Sequence, residues 1–177
     1  MNVIITGTGG FLGGHLVLHF LRQGAKVIAV FHRELYEGSQ QIIKRQKQKD
    51  ELQARLTKLM PDCLNLFFFD ADITNSNDMK SLFRTATPNV LIHSAALLIP
   101  PKVTDYETHE QHLDALNKFT ETNQAKILAD CAREYQEINH SLYCLFVSTV
   151  HVFDQKAEKI TEESARAPVN MYAQTKD

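Results

Sequence analysis

Tyr172 and Lys176 have side chains whose types and spacing suit proton transfer. They stand four residues apart, so on a helix they lie on one face. A free phenol has a pKa of about 10, and a nearby ammonium group lowers that pKa by favouring the phenolate. A phenol tuned in this way can exchange a proton with a carbinol or carbonyl oxygen while a hydride moves at the carbon. Ser148 and Thr149 lie upstream and offer hydroxyl groups that can hold the same oxygen.

A glycine-rich segment near the N-terminus carries a second chemical signal. Gly7, Gly10 and Gly13 follow an apolar run at residues 3–5 and precede apolar residues at helical spacing. In such a strand–turn–helix context, backbone N–H groups at the helix start can bind a pyrophosphate. The first glycine permits the tight turn, the second lets the backbone approach the phosphates, and the third lets the helix pack on the strand. The segment therefore predicts a dinucleotide-binding loop.

The rest of the chain alternates apolar runs with helical segments. We predict further strands at residues 27–31, 64–69, 90–93 and 142–147, and helices at residues 11–21, 39–60, 77–85 and 107–135. Alternating strands and helices imply a parallel sheet with right-handed crossovers. The predicted fold class is α/β, a Rossmann-type doubly wound parallel sheet in three α/β/α layers. Its helix at 39–60 is polar and basic, so it is either simply solvated or helps to hold an anionic cofactor.

Composition and charge exclude several classes of protein. A net charge of −2 over 177 residues gives no field that would favour nucleic acid. Cys63, Cys131 and Cys144 are widely scattered and lack metal-type spacing, which indicates reduced thiols in a cytoplasmic protein. No apolar stretch approaches the length of a membrane span. We expect a cytoplasmic protein without membrane, nucleic-acid or metal partners.

The motifs together resemble the extended branch of the short-chain dehydrogenase/reductase family, which contains nucleotide-sugar epimerases, dehydratases and reductases. Thr6 followed by Gly-x-x-Gly-x-x-Gly is similar to that branch, and residues 148–154 resemble its Ser-Ser/Thr-x-x-Val-Tyr/Phe-Gly/Asp motif. The resemblance implies that Thr149 is the catalytic hydroxyl, 172 − 149 = 23 residues before the tyrosine. It also implies catalytic roles for Tyr172, Lys176 and Asn123, although Gln-Ala-Lys replaces the Gly-Thr that usually follows the asparagine.

Within that family, the motifs divide between two groups. The stretch from Ser148 to Asp154 and the Pro-x-Asn-x-Tyr-x-x-Thr-Lys pattern look most like the dTDP-4-dehydrorhamnose reductases, except that Val150 stands where those have Asp. The glycine loop and the His-x-Ala-Ala pattern after the fourth strand look more like epimerases.

The end of the second strand bears on the choice of cofactor. An Asp or Glu there would bind the adenosine ribose and favour NAD. Phe31 stands where NAD-using relatives usually have Asp, and Arg33, with His32, can pair with a 2′-phosphate. We therefore expect NADP, with NAD as the alternative if Glu34 takes the ribose. The remaining alternative is an exposed basic pair that binds nothing.

Further cofactor contacts are implied after the third and fourth strands. The resemblance puts Asp72 and Ile73 beside the adenine, although an Asx turn would explain the aspartate equally well. Small residues after the fourth strand would let a ribose lie close to the backbone. The implied cofactor residues are, in full, Gly7, Thr8, Gly10, Phe11, Leu12, Gly13, His32, Arg33, Asp72, Ile73, Ser94, Ala95 and Ala96.

Extended members continue past the catalytic helix into a substrate domain, whereas this sequence ends at Asp177. We expect residues 1–177 to be an NAD(P)-binding Rossmann domain that is incomplete at the C-terminus and lacks the substrate domain. The isolated chain would then bind dinucleotide weakly, turn over nothing, and expose its fifth strand as an apolar edge at which a homodimer can form.

The expected function is hydride transfer to or from a small molecule, a nucleotide-sugar or related hydroxy/keto compound. Two alternatives stay open. One is a nucleotide-sugar epimerase or dehydratase. The other is a non-catalytic NADP-binding or regulatory module, or an inactive fragment.

Overall fold

The computed structural model describes residues 1–33, 40–139, 141–154 and 159–177, and the side chains of the second helix from Gln46 onward. The described strands are β1 (Asn2–Thr6), β2 (Lys26–His32), β3 (Leu66–Ala71), β4 (Val90–His93) and β5 (Tyr143–Phe146). The described α-helices are α1 (Phe11–Arg22), α2 (Gln40–Leu59), α3 (Ser76–Ala86), α4 (His109–Gln124), α5 (Lys126–Asn139) and α6 (Met171–Lys176). Short 3-10 turns lie at Val103–Asp105 and Val150–Val152.

The five strands form one parallel sheet in the order β3-β2-β1-β4-β5. The central strand β1 is apolar because helices cover both of its faces, and Val3, Ile4 and Ile5 are fully buried. The chain moves outward from β1 in one direction and then returns to build the other half of the sheet, as in doubly wound folds. The predicted Rossmann-type α/β class is confirmed.

Two predicted elements differ from the structure by more than one residue at a boundary. The single helix expected at residues 107–135 is wrong, because α4 ends at Gln124 and α5 starts at Lys126. Between them Ala125 takes a left-handed conformation, with φ 50°, which no right-handed helix can contain. The third strand begins later than expected, since Leu64 is 87% exposed and lies outside the sheet. Residue 39, the expected start of the second helix, lies outside the described residues.

The chain divides into two compact units. The sheet unit comprises Met1–Ala95 and Ile127–Phe146, and the helical unit comprises Ala96–Lys126 and Val147–Asp177. The glycine loop belongs to the sheet unit, and Thr149, Tyr172 and Lys176 belong to the helical unit. Within the described ranges, no helix combines the length and the apolar character needed to cross a bilayer.

The outer strand β5 is exposed along its whole length. Tyr143 is 78% exposed and Leu145 is 56% exposed, and the two residues beside them are exposed as well. In a parallel sheet, the strands are usually buried on both faces. β5 therefore presents an apolar edge of the kind that the sequence predicts.

Candidate functional site

The glycine loop joins β1 to α1 by a turn that needs glycine at its first position. Gly7 has φ 73°, and its carbonyl accepts a hydrogen bond from Gly10 N at 3.0 Å. A Cβ built on Gly7 would lie 2.6 Å from the backbone nitrogen of Ala95, just after β4. The loop and the end of β4 thus approach each other backbone to backbone, which any side chain at position 7 would prevent.

The third glycine lets helix α1 pack directly on the loop. A Cβ on Gly13 would lie only 2.2 Å from Gly7 O, whereas one on the neighbouring Gly14 would have its nearest contact at 3.4 Å. Thr8 is buried, and its hydroxyl donates to Val30 O at 3.1 Å, which fixes the loop to β2. The position of each backbone group in the loop is therefore tightly determined.

The start of α1 has the properties of a phosphate site. Its N-cap is Gly10, which makes no side-chain cap hydrogen bond in the described part of the chain. The first N–H groups of a helix lack intrahelical partners and carry a partial positive charge. Phe11 and Leu12, which follow the cap, are 85% and 45% exposed, so the helix start is open to a ligand. Backbone N–H groups at an open helix start, held by a closely packed glycine loop, fit a diphosphate.

The end of β4 is held to β1 by side-chain hydrogen bonds. Thr6 Oγ1 lies 2.8 Å from His93 Nδ1, and Ser94 Oγ donates to Thr6 O at 2.6 Å. The Ser94 hydroxyl is thus engaged with the backbone, and buried His93 has a structural contact. The backbone nitrogen of Ala95 lies against Gly7, and Ala95 is one of the small residues noted after the fourth strand. Its role toward a cofactor stays a prediction, as does that of Ala96 in the helical unit.

Arg33, expected to read a 2′-phosphate, is held by an acid that sequence reasoning missed. Its Nη2 lies 2.5 Å from Asp78 Oδ1 on α3, and Asp78 Oδ2 accepts from Asp72 N at 2.9 Å. The Arg33 side chain is 42% exposed and that of Asp78 only 10%. The pair therefore anchors the end of β2 to α3 and offsets the arginine charge. His32 is exposed, and Glu34 lies outside the described residues.

Asp72 forms an Asx turn. Its Oδ1 accepts from Thr74 N at 2.9 Å and from Thr74 Oγ1 at 2.7 Å. Asp72 and Ile73 are both buried. The turn was one of the two interpretations of this aspartate, and its local geometry accounts for the residue. Contact of Asp72 or Ile73 with an adenine stays a prediction.

Within the helical unit, the two expected catalytic hydroxyl groups line one cavity. Thr149 and Tyr172 both contribute to a cavity of about 500 Å³. The other lining residues are Leu98, Pro100, His151, Asn170 and Met171. Lys176 follows Tyr172 by one helical turn on α6. The cavity is large enough for a sugar ring, and its lining combines apolar walls with a few polar groups.

Side-chain hydrogen bonds hold both ends of helix α6, which carries Tyr172. Asn170 is the N-cap of α6 and accepts from Ala173 N at 2.8 Å, which sets where Tyr172 emerges. Ser148 Oγ donates to Lys176 O at 3.1 Å and so fixes the other end of the same helix. Ser148 therefore holds α6, while its neighbour Thr149 faces the cavity.

Burial lowers the pKa of the Lys176 ammonium below its ordinary value of 10.5, because a charged amine loses hydration when it is removed from water. In its protonated form, the Lys176 side chain carries one positive charge. That charge is the property expected to favour the phenolate of a tyrosine one turn away.

Asn123 is buried, and both polar atoms of its side-chain amide form hydrogen bonds with the backbone of Leu97. Its Nδ2 donates to Leu97 O at 2.9 Å, and its Oδ1 accepts from Leu97 N at 2.8 Å. It fixes the loop that supplies Leu98 and Pro100 to the cavity but does not itself line the cavity. This geometry makes Asn123 a positioning residue, and a direct part in catalysis stays a prediction.

Sequence reasoning missed two polar residues of the cavity, His151 and Asn170. Asn170 has a readable signal, because an Asn immediately before a short helix is a typical N-cap. His151 has none, since its place in the cavity depends on the 3-10 turn that follows Thr149. Thr149 Oγ1 accepts from His151 N at 3.4 Å within this turn.

The sheet order, the glycine loop and the Tyr-x-x-x-Lys helix define a Rossmann-type protein of the extended short-chain dehydrogenase/reductase class. The profile of the family described as "RmlD substrate binding domain" matches residues 1–177. The chain belongs to this family.

Individual relatives are more distant. A protein of Arabidopsis thaliana that carries the name of a UDP-arabinose 4-epimerase is 24% identical over 177 residues, which is 99% of this chain and 37% of the relative. Methionine adenosyltransferase 2 subunit beta of Xenopus laevis is 29% identical over 115 residues, 65% of this chain and 29% of the relative. The chain thus spans well under half the length of these curated relatives.

A solved structure gives the same fold. The UDP-glucose-4-epimerase of Stenotrophomonas maltophila, with bound NAD and formylated UDP-arabinopyranose, superposes with a TM-score of 0.66 at 19% identity. The match covers 99% of this chain and 45% of that structure. At this identity the likeness establishes the fold alone.

Proposed function

We propose that this chain belongs to an NAD(P)-dependent oxidoreductase that acts on a nucleotide-sugar or related hydroxy/keto substrate by hydride transfer. One observation carries the proposal: Thr149 and Tyr172 line a single cavity of about 500 Å³, with Lys176 one turn beyond the tyrosine. A chance Tyr-x-x-x-Lys pair would have no reason to place its tyrosine in one cavity with the predicted catalytic hydroxyl.

In this proposal each residue has one task. The Thr149 hydroxyl holds the substrate oxygen by a hydrogen bond. The Tyr172 phenol exchanges a proton with that oxygen, and the Lys176 charge favours the phenolate. A bound nicotinamide supplies the group that accepts or donates the hydride. Leu98, Pro100 and Met171 supply the apolar part of the cavity lining, against which a sugar ring can pack.

The glycine loop supports a dinucleotide as cofactor, because its geometry leaves backbone N–H groups at the start of α1 for a pyrophosphate. The solved relative binds NAD and a UDP-sugar, which supports a nicotinamide cofactor and a nucleotide-sugar substrate for this chain. The preference for NADP, predicted from Arg33, must be weighed against the Asp78 partner of that arginine.

Among the possible outcomes of hydride transfer, the relatives favour epimerisation. Two of them bear the names of UDP-sugar 4-epimerases. In such a reaction the same tyrosine would take the proton from a hydroxyl and return it after the ketone is reduced on its other face. Reductase and dehydratase outcomes stay as alternatives.

Turnover assays with UDP-glucose and UDP-arabinose in the presence of NAD⁺ or NADP⁺ test the proposal. Any turnover should fall by about 10²–10⁴-fold in Tyr172→Phe, since the proton-transfer group is lost. Tyr143→Phe, an exposed tyrosine of β5, is the matched control and should leave turnover unchanged. Turnover that survives Tyr172→Phe would contradict the assignment. Product is detected by mass spectrometry after long incubation, so that slow turnover is also measured.

A second candidate function is a non-catalytic dinucleotide-binding subunit. The specific observation in its favour is the similarity to a protein named as the beta subunit of a methionine adenosyltransferase. Tight dinucleotide binding without any product from either UDP-sugar would favour this candidate over the enzyme.

We also propose that the protein is cytoplasmic. The apolar edge at β5 would allow it to form a homodimer. Unpaired edge strands readily pair with another chain. Light scattering at increasing protein concentration should then show association, and Leu145→Lys should weaken it. A clean monomer at high concentration would contradict the dimer.

A further inference from the structure

Helix α2 is anchored on the sheet by its second half. Leu52 and Leu56 are buried in the core cluster that includes Val17 of α1 and Phe31 of β2. These contacts fix α2 on the face of the sheet that α1 also covers. The residues just before Leu52 therefore lie at a defined place, close to the carboxyl end of β2.

Gln48 of α2 packs against the glycine loop. A Cβ built on Gly9 would lie 2.6 Å from Gln48 Oε1 and 2.7 Å from its Cδ. The carboxamide therefore fills the space immediately beside the loop backbone. Gln48 is half-buried, whereas Gln46 and Lys47 on the same helix are exposed.

Lys49, the next residue, ties α2 to the ends of two strands. Its Nζ lies 2.7 Å from Asp70 Oδ1 on β3 and 5.4 Å from the centre of the Phe31 ring on β2. Its side chain is only 15% exposed. Gln48 and Lys49 thus place α2 over the gap between the glycine loop and the carboxyl end of β2.

In folds of this type, the adenosine ribose lies at the carboxyl end of β2, beside the glycine loop. Two of the described cations near this place have carboxylate partners, since Arg33 pairs with Asp78 and Lys49 with Asp70. Buried Asp72 lies in the same stretch after β3. A 2′-phosphate would bring additional negative charge to cations that are already neutralised.

We propose that Gln48 of α2 recognises the adenosine ribose hydroxyls and that the site therefore selects NAD(H) over NADP(H). A carboxamide offers one acceptor and one donor group, which suits two vicinal hydroxyls. It brings no charge that would attract a phosphate. This inference rests on the proposed function and names the residue that sets its cofactor.

Titration of the 177-residue chain with NAD⁺ and NADP⁺, followed through the amide chemical shifts of the glycine loop, measures dissociation constants even for weak binding. We expect NAD⁺ to bind more tightly than NADP⁺. Gln48→Ala should weaken NAD⁺ binding by about fivefold to tenfold, as for the loss of one or two hydrogen bonds. Gln46→Ala, two residues away on the same helix and exposed, should change nothing. Gln48→Glu should keep NAD⁺ binding and weaken NADP⁺ binding further.

Three results would overturn the inference. Unchanged or tighter NAD⁺ binding by Gln48→Ala would show that the carboxamide only covers the loop. A preference for NADP⁺ that disappears in Arg33→Ala would assign the recognition to the arginine. Absence of any dinucleotide-dependent shift in the wild-type chain would remove this inference and the proposed function together, whereas binding that ignores Gln48 removes the inference alone.

Discussion

The glycine loop and the cavity lined by Thr149 and Tyr172 achieve their geometry by different means. The loop of the sheet unit depends on close backbone approaches, such as the 2.2 Å that would separate a Gly13 Cβ from Gly7 O. The cavity of the helical unit depends on single side-chain hydrogen bonds, such as those of Asn123 and Asn170. A backbone fit tolerates no added atom, whereas a hydrogen-bonded loop can lose a bond and keep its fold. The two regions should therefore respond to substitution in different ways.

The largest effect is expected at the loop. Gly13→Ala should destabilise the protein by about 3 kcal/mol, because the new Cβ would overlap Gly7 O and force the backbone apart. Urea unfolding followed by circular dichroism measures the change.

Gly14→Ala is the matched control for Gly13→Ala. Its Cβ would meet no atom closer than 3.4 Å, so the helix should gain about 0.5–1 kcal/mol from the alanine. If both variants lost stability equally, the close approach at Gly13 would not be the cause.

The next effect belongs to the cavity. Asn123→Ala should cost about 2 kcal/mol, because it removes the two hydrogen bonds that the buried Asn123 amide makes with the backbone N–H and C=O of Leu97. The loss should also loosen the loop that carries Leu98 and Pro100, and it should appear as faster amide hydrogen exchange there.

Asn139→Ala removes an exposed asparagine at the end of α5 and should stay within about 0.5 kcal/mol of wild type. An Asn123→Ala variant as stable as this control would mean that the Leu97 hydrogen bonds contribute little. The cavity would then owe its shape to packing alone.

The same contrast separates what the sequence could predict from what it could not. The loop was predictable because its glycines, its strand and its helix are neighbours in the chain, and the parallel sheet follows from the alternation of strands and helices. The Arg33–Asp78 pair joins residues 45 positions apart, so no local pattern announces it. Ala125 gives no signal for a helix end, since alanine is the best helix former, yet it adopts φ 50° between α4 and α5.

Each unit has one described non-glycine residue with positive φ. Substitution of these two residues should change the free energy of unfolding by smaller amounts than the variants above. Thr87, at the end of α3 in the sheet unit, is exposed and has φ 41°. Thr87→Gly should stabilise by about 1 kcal/mol, because a branched residue is strained there. Ala125→Gly should gain less, since its buried methyl group is worth about 0.8 kcal/mol. Thermal unfolding of the two variants tests the order, and a larger gain at Ala125 would contradict it.

The smallest effect concerns Lys176, near the end of α6. Burial lowers its pKa in the folded protein below the ordinary 10.5. Between these two values the unfolded chain binds more protons than the folded one, so stability should rise with pH in that window. Lys176→Met should abolish this rise and should raise stability slightly at neutral pH, where the wild type holds a partly desolvated charge.

Urea unfolding from neutral pH to about pH 10 measures both slopes. If the wild-type slope matched that of Lys176→Met, the ammonium would be fully hydrated. It would then lack the burial that distinguishes Lys176 from an exposed lysine such as Lys47.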